Sequence, residues 1–396
     1  MNKMTVRDID VAGKRVLVRV DFNVPLDVNT GAITDDSRIR AALPTINYLL
    51  ERNAKVILLS HFGRPKGKVV EDMRLTPAAR RLSEILGKPV ATTRDCVGPE
   101  VEKAVAALKG GDVLLLENLR FHAEEEKGDD AFAKALASLG DVYVNDAFGT
   151  AHRAHASISG IAKYLPAVAG FLLEKEINTL GGLLENPDHP FTALFGGAKV
   201  SDKVALLKNI MGKVNTILIG GGMAATFLKA KGYSVGASAV EDDIINTANG
   251  LIKDALQNKV NLVLPVDVVV ADKPDGGAKG QIVSVDKIPL GQMILDIGPG
   301  TITAFENELK RSKTVFWNGT MGIAEIPQFA VGTHTLAKLL ATLKAKTVVG
   351  GGSTAETIAK LGLTDKITFV STGGGASLEF LGGDQLPGVV ALRDKI

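Results

Sequence analysis

One cysteine, Cys96, serves all 396 residues, which excludes an internal disulfide framework. The opening residues, MNKMTVRDIDVAGK, carry no apolar h-region, so a secretory signal is not expected. No apolar stretch approaches the roughly 20 residues needed to span a bilayer. Neither G-x-x-x-x-G-K-[ST] nor G-x-G-x-x-G occurs, which removes a Walker P-loop and a Rossmann dinucleotide fingerprint. There is no internal sequence repeat. Charge of one sign is missing too: Lys plus Arg against Asp plus Glu stands at 24 to 22 before residue 171 and 22 to 22 after it. Neither half therefore carries a broad basic field for nucleic acid. The expectation is a cytoplasmic protein with small-molecule partners, without nucleic acid or membrane.

What is present is unevenly distributed. Thirteen of fifteen arginines lie before residue 171, and all three Gly-Gly-Gly triplets lie after it, at 220–222, 350–352 and 373–375. Arginine grips phosphate or carboxylate with a planar fork, whereas a glycine run after a strand brings bare N–H groups against phosphate oxygens. One half suits a small anionic metabolite and the other a nucleotide. The length also exceeds one core and predicts two domains of roughly 170 to 220 residues.

Short β-branched or Leu-rich runs alternate with helical patterns, which predicts an α/β protein whose parallel sheets carry helices on both faces. The first half supplies runs at 15–20, 55–60, 112–116 and 141–145, with helices over 38–53, 76–86 (Thr76 as N-cap, Pro77 at the first helical position) and 129–139. Runs at 191–195, 216–219, 260–264, 314–317, 346–349 and 367–370 follow in the second. Between the halves, Ala167–Leu180 places Val168, Leu172, Leu173, Ile177 and Leu180 as a connecting helix. The expected domains are 1–168, with a C-terminal tail at 388–396 packing back on it, and 169–387, joined by a helical hinge.

In open α/β sheets ligands sit beyond the carboxyl ends of the strands. There the first half places Asp21, Phe22 and Asn23, then His61, Phe62, Gly63 and Arg64, then Arg120, and then His152, Arg153 and His155. Arg38 near a helix start joins Arg64, Arg120 and Arg153 as an anion-binding set, with Gly63 permitting close backbone approach. His152-x-x-His155 lacks cysteine partners and a well-spaced carboxylate, which argues against zinc and leaves any metal ligand unassigned. Glu124-Glu125-Glu126 reads as a solvated charge run before a helix.

In the second half, Phe195-Gly196-Gly197-Ala198-Lys199-Val200-Ser201-Asp202-Lys203 leads from a strand into a helix with Ser201 as the expected N-cap. Lysine has the wrong sign for a helix N-terminus, so Lys199 and Lys203 make sense with an anion between them. Each glycine triplet follows an apolar run and precedes a helix.

Taken as strings, these stretches closely resemble phosphoglycerate kinases. They are Arg15-Val-Leu-Val-Arg19-Val-Asp21-Phe-Asn23-Val-Pro25, His61-Phe-Gly-Arg64-Pro65, Asp146 to His155, Gly196 to Lys203, Ile219 to Ala224, Trp317-Asn318-Gly319 and Ser371 to Ser377, in that order. The resemblance implies reversible phosphoryl transfer from 1,3-bisphosphoglycerate to ADP, giving 3-phosphoglycerate and ATP with Mg²⁺, by a monomer that closes about its hinge. It places Asp21, Asn23, Arg38, His61, Arg64, Arg120 and Arg153 on the phosphoglycerate side, with Phe22, Phe62 and Gly63 between them. Lys203, Asn318, Glu325, Gly351, Gly352, Ser353 and Thr354 fall on the nucleotide side. Arg38, Lys199, Lys203 and the amides of Gly373, Gly374 and Gly375 would surround the phosphoryl group in flight.

The chain departs from the family pattern at three positions. Ser353 stands where many members have Asp, Thr320 where Pro is usual and Ala324 where Phe is usual. These changes bear on metal and nucleotide binding. Two other functions fit the residues alone: a non-catalytic hinged binding protein for a phosphorylated metabolite, and a kinase for a related small acid.

Overall fold

The structure, a computed structural model, describes residues 2–395; Met1 and Ile396, the ends of the expected first domain and of the expected tail, lie outside the described residues. Two compact units are present, one running to Asn178 and resuming at Gln385, the other covering Thr179–Asp384. No helix among the described residues is long and apolar enough to cross a membrane.

The first unit is built on six parallel strands: β1 (Arg15–Arg19), β2 (Lys55–Leu59), β3 (Val90–Thr92), β4 (Val113–Leu115), β5 (Val142–Asn145) and β6 (Ala167–Ala169). Their spatial order is β3-β4-β2-β1-β5-β6. Strands β1, β2, β4 and β5 are almost wholly buried, as apolar runs covered on both faces must be. Chain progression reverses between β1 and β5, and the register sets Arg19 beside both Leu59 and Asn145. The loops after β1, β2 and β5 therefore leave from one edge, at the switch point where open α/β sheets hold ligands.

The second unit contains β7 (Phe191–Phe195), β8 (Thr216–Ile219), β9 (Asn261–Val263), β10 (Asp267–Ala271), β11 (Gln281–Ser284), β12 (Met293–Ile297), β13 (Thr314–Asn318), β14 (Lys346–Gly350) and β15 (Phe369–Val370). Six of them form a parallel sheet in the order β15-β14-β13-β7-β8-β9, and β11-β10-β12 make a separate sheet. Here the switch point lies between β7 and β13, where Phe195 pairs with Asn318. Helices at Met223–Ala230, Gly352–Lys360 and Gly375–Leu381 follow the three glycine triplets.

Several elements differ from expectation. Ala167–Ala169 is a strand paired to Tyr143–Asn145, and the helix begins only at Phe171, running to Glu185. The break is local: Asp146 Oδ1 accepts from the N–H groups of Leu172 (2.9 Å) and Leu173 (3.2 Å), and a side chain at Gly170 would lie 2.2 Å from that oxygen. The antiparallel strands β10–β12 were not foreseen: β11 is mostly exposed and shows no buried run, whereas the apolar runs of β10 and β12 carried a strand signal that was overlooked. β3 was missed for the same reason. Thr76 is the first residue of its helix and makes no capping bond. Ser201 is not a helix N-cap either: a 3₁₀ turn covers Ser201–Lys203, the helix starts at Val204, and the Ser201 hydroxyl donates to Glu241.

Near the C-terminus, Gly388 O accepts from Asn145 Nδ2 at 3.0 Å, and Met4 N–H donates to Arg393 O at 2.8 Å. A Cβ at Gly388 would meet Ile158 Cγ2 at 2.6 Å, so only glycine fits this approach.

Candidate active site

At the carboxyl edge of the first sheet the predicted residues are tied together by short bonds. Asn23 Oδ1 accepts from Gly63 N–H at 2.9 Å, and Asp21 Oδ1 accepts from Asn23 N–H at 3.1 Å. Arg120 Nη1 donates to Gly63 O at 2.8 Å. Arg38, one residue into the helix Ser37–Glu51, donates to Asp21 Oδ2 at 2.6 Å. Asn118 knits the β2 and β4 loops: its Oδ1 accepts from Phe62 N–H and Arg120 N–H, and its Nδ2 donates to Phe62 O and Met73 O.

The local field is cationic. Burial, joined by Arg19, Arg120 and Arg38, drives the His61 imidazole well below its usual range against the pull of Asp21. Arg19 Nη2 lies 3.2 Å from His61 Nδ1, and because a guanidinium can only donate, Nδ1 accepts and the proton of neutral His61 sits on Nε2. Burial pushes the Asp21 carboxyl up, but His61, Arg38, Arg19 and the Asn23 N–H together hold the group below its ordinary value. Burial, then Arg120, Arg153 and Arg19, takes His155 down to about 4. Arg38, Arg120, Arg153, His61, Asp21 and Asn23 are thus one neighbourhood. Arg64 follows Gly63 and is exposed. Among the described residues neither Arg64 nor Arg153 has a side-chain hydrogen bond or ion pair, which leaves both guanidinium forks open to an anion.

In the second unit the glycines make close backbone approaches at the β7–β13 switch point. A Cβ on Gly319 would stand 2.3 Å from Gly196 O, and one on Gly221 2.5 Å from Gly197 N. Lys203 is 7% exposed, with its Nζ beside Gly197, and among the described residues no carboxylate is within ion-pair distance. Burial lowers its pKa, which Asp202 and Glu241 oppose. At the end of β13, Asn318 is 3% exposed and its Nδ2 has no hydrogen-bond acceptor. Gly351, at φ +93°, lies against that amide. Thr354 is buried, with Oγ1 accepting from Gly319 N–H at 2.9 Å. Lys199, Glu325, Gly352, Ser353 and Gly375 are exposed. Gly374, at φ +52°, precedes the Gly375–Leu381 helix, and Gly373 N–H donates to Ser371 Oγ at 3.1 Å.

The side chains of the loop Gly350–Thr354 offer a cation only hydroxyl oxygens, and that of Thr354 is already engaged. Mg²⁺ prefers carboxylates or phosphates and keeps several waters, so the side chains of this loop do not make a ligand set for an ion held by protein. Among the described residues, one group with metal-ligand chemistry lies close together: Asp95, Cys96 and His122. His122 Nε2 is 2.6 Å from Asp95 Oδ1, and burial, reinforced by Asp95 and Glu125, pushes the Cys96 thiol up, keeping it protonated.

A sequence model of phosphoglycerate kinases matches residues 6–384. The chain is 58% identical over 395 residues to the phosphoglycerate kinase of Moorella thermoacetica, and 57% identical over 403 aligned positions to that of Synechococcus elongatus, with 100% of each chain covered. The chain belongs to the phosphoglycerate kinase family. Solved structures agree: the phosphoglycerate kinases of Coxiella burnetii and Pyrococcus horikoshii superpose with TM-scores of 0.87, at 41% and 35% identity, covering 98% of both chains. The activity is that of the family, a glycolytic phosphotransferase with a carboxyl acceptor.

Sequence reasoning gave no role to Arg19, Asn118 or Ser157, which the structure ties into this neighbourhood, and it misplaced Glu125. The Glu124–Glu126 run is not uniformly solvated: Glu124 and Glu126 are exposed on the short helix Ala123–Lys127, but Glu125 is fully buried. Its carboxylate accepts from Ser157 N–H (2.9 Å) and Ser157 Oγ (2.5 Å). The only signal was that in so short a helix one of three consecutive residues must face inward.

Proposed function

We propose that the chain transfers a phosphoryl group reversibly between 1,3-bisphosphoglycerate and ADP, with the acid held by the arginine pocket of the first unit and the nucleotide by the glycine loops of the second. The observation that carries this reading is uncompensated positive charge. A nearly buried Lys203 ammonium without a carboxylate partner is costly unless an anion completes it, and the open forks of Arg64 and Arg153 call for a second anion.

In this reading Asp21, Asn23, Arg38, His61, Arg64, Arg120 and Arg153, with Phe22, Phe62 and Gly63, bind the acid. Lys203, Asn318, Glu325, Gly351, Gly352, Ser353 and Thr354 bind the nucleotide, which enters as its Mg²⁺ complex. The attacking group in the ATP-consuming direction is a carboxylate, with a pKa near 4, so it is ionised at neutral pH and needs no general base. What the transfer needs is in-line positioning and neutralisation of charge on the equatorial oxygens. Arg38, Lys199, Lys203 and the amides of Gly373, Gly374 and Gly375 are assigned that task. Domains 1–168 and 169–387 and hinge closure that excludes water belong to the same reading, as do a monomeric state and a cytoplasmic location.

The test is ATP-dependent phosphorylation of 3-phosphoglycerate by purified protein, with the product trapped by a coupled dehydrogenase across a Mg²⁺ titration. Turnover that requires both substrates is the expected result. Binding of 3-phosphoglycerate without binding of ADP, measured by calorimetry, would instead favour a metabolite-binding protein.

A further inference from the structure

Arg19 closes β1 and is fully buried. Among the described residues no carboxylate lies within ion-pair distance of it. Its guanidinium donates to Ser157 Oγ (2.9 Å), to Val20 O and to His61 Nδ1 (3.2 Å). Ser157 Oγ donates to Glu125 Oε1 at 2.5 Å, and Glu125 Oε2 accepts from Ser157 N–H. The donors therefore run one way, from Arg19 through Ser157 to Glu125, with every member buried.

We propose that Glu125 is a positioning residue for the acid pocket: through Ser157 it anchors Arg19, and Arg19 locks His61 in the tautomer that carries its proton on Nε2. The link rests on the reading of that pocket as the phosphoglycerate site. A neutral imidazole with its proton on Nε2 is a donor suited to an anion, and the Ser157 hydroxyl, whose hydrogen cannot go to a guanidinium, is fixed with a lone pair toward Arg19 when that hydrogen is held by an acceptor elsewhere. An ionised Glu125 is that acceptor: burial pushes its carboxyl up, and Arg19, the two Ser157 donors and Arg120 oppose the rise. It faces Arg19, Arg120, His155, Cys96 and Tyr143 as well as Ser157. A buried anion beside two arginines balances charge that would otherwise stand uncompensated behind the pocket.

Glu125→Gln separates the two roles of the carboxylate. The amide oxygen still accepts from Ser157 N–H, but its NH₂ donates toward Ser157 Oγ, so the hydroxyl loses the acceptor for its own hydrogen and takes a second donor beside Arg19. Nitrogen-15 NMR of histidine-labelled full-length protein, without substrate, is expected to show a pyridine-like Nδ1 for wild-type His61. In Glu125→Gln the two nitrogens should move toward exchange-averaged values. In steady-state assays of the same variant, KM for 3-phosphoglycerate should rise about tenfold or more, the loss of a hydrogen bond to a charged group, while KM for ATP stays unchanged. Ser157→Ala cuts the same link from the other side and should reproduce both effects, so it decides the matter if Glu125→Gln does not fold. Folded variants that keep the His61 tautomer and the wild-type KM would overturn the proposal. A tautomer change without a rise in KM would support the link and overturn the assignment of the pocket to the acid.

Discussion

Asp296 offers a quantitative test of the second unit. It lies in β12, 1% exposed, with Oδ1 accepting from Ile297 N–H (2.8 Å) and Oδ2 from Gly332 N–H (2.9 Å) at the start of the Val331–Leu340 helix. Burial raises its carboxyl from 3.8 to about 7, more than the backbone donors can offset. A folded-state pKa above the unfolded value means stability that is fully present below pH 3.8 and is lost as pH rises through about 7. At 1.36 kcal/mol per pKa unit the whole effect is roughly 4 kcal/mol, of which about 2 kcal/mol falls between roughly pH 5.5 and 8.5. Trp317 is the chain's single tryptophan and shares a core with Ile297, Leu336 and Ala337, so its fluorescence follows this unit in urea. Asp296→Asn should be less stable by about 1–3 kcal/mol at low pH, because one acceptor is lost, yet it should lack this slope. Subtracting the two pH profiles cancels every other titrating group. Parallel profiles for wild type and Asp296→Asn would refute the assignment of the pH dependence to this carboxyl.

Lys203→Ala and Arg38→Ala should each lower kcat by about 10³ or more, as cations do at a transferring phosphoryl group; losses below about tenfold in both would remove them from that role. Arg120→Ala should act mainly on binding, weakening 3-phosphoglycerate by roughly 1.5–3 kcal/mol in calorimetry while ADP affinity holds. Ser353→Asp adds a carboxylate to a loop whose side chains offer only hydroxyls, and should lower the Mg²⁺ midpoint of turnover; an unchanged midpoint would show that phosphates and water supply the whole coordination shell.

Most of the strands whose ends carry the proposed site were legible in the chain, and the reason is local. A strand buried on both faces must be a continuous apolar run, so β1, β2, β7, β13 and β14 announced themselves, and polar residues, arginine or glycine followed them whatever the tertiary context. β11 gave no such signal because most of it faces solvent. Charge was harder to read for a related reason. Arg19 stands 138 residues from Ser157 and Glu125 stands 32 from it, so nothing near either residue marks it as part of one buried relay. Arg64 and Arg153, by contrast, are exposed and half-buried, with no side-chain partners among the described residues. Composition counts all of these charges alike. Only the fold separates a charge committed inside the protein from one left open for a ligand, and the two classes predict opposite mutational signatures. Loss of a committed charge such as Glu125 or Asp296 should alter tautomers and stability in the empty protein, whereas loss of an open one such as Arg153 should be silent until substrate is added.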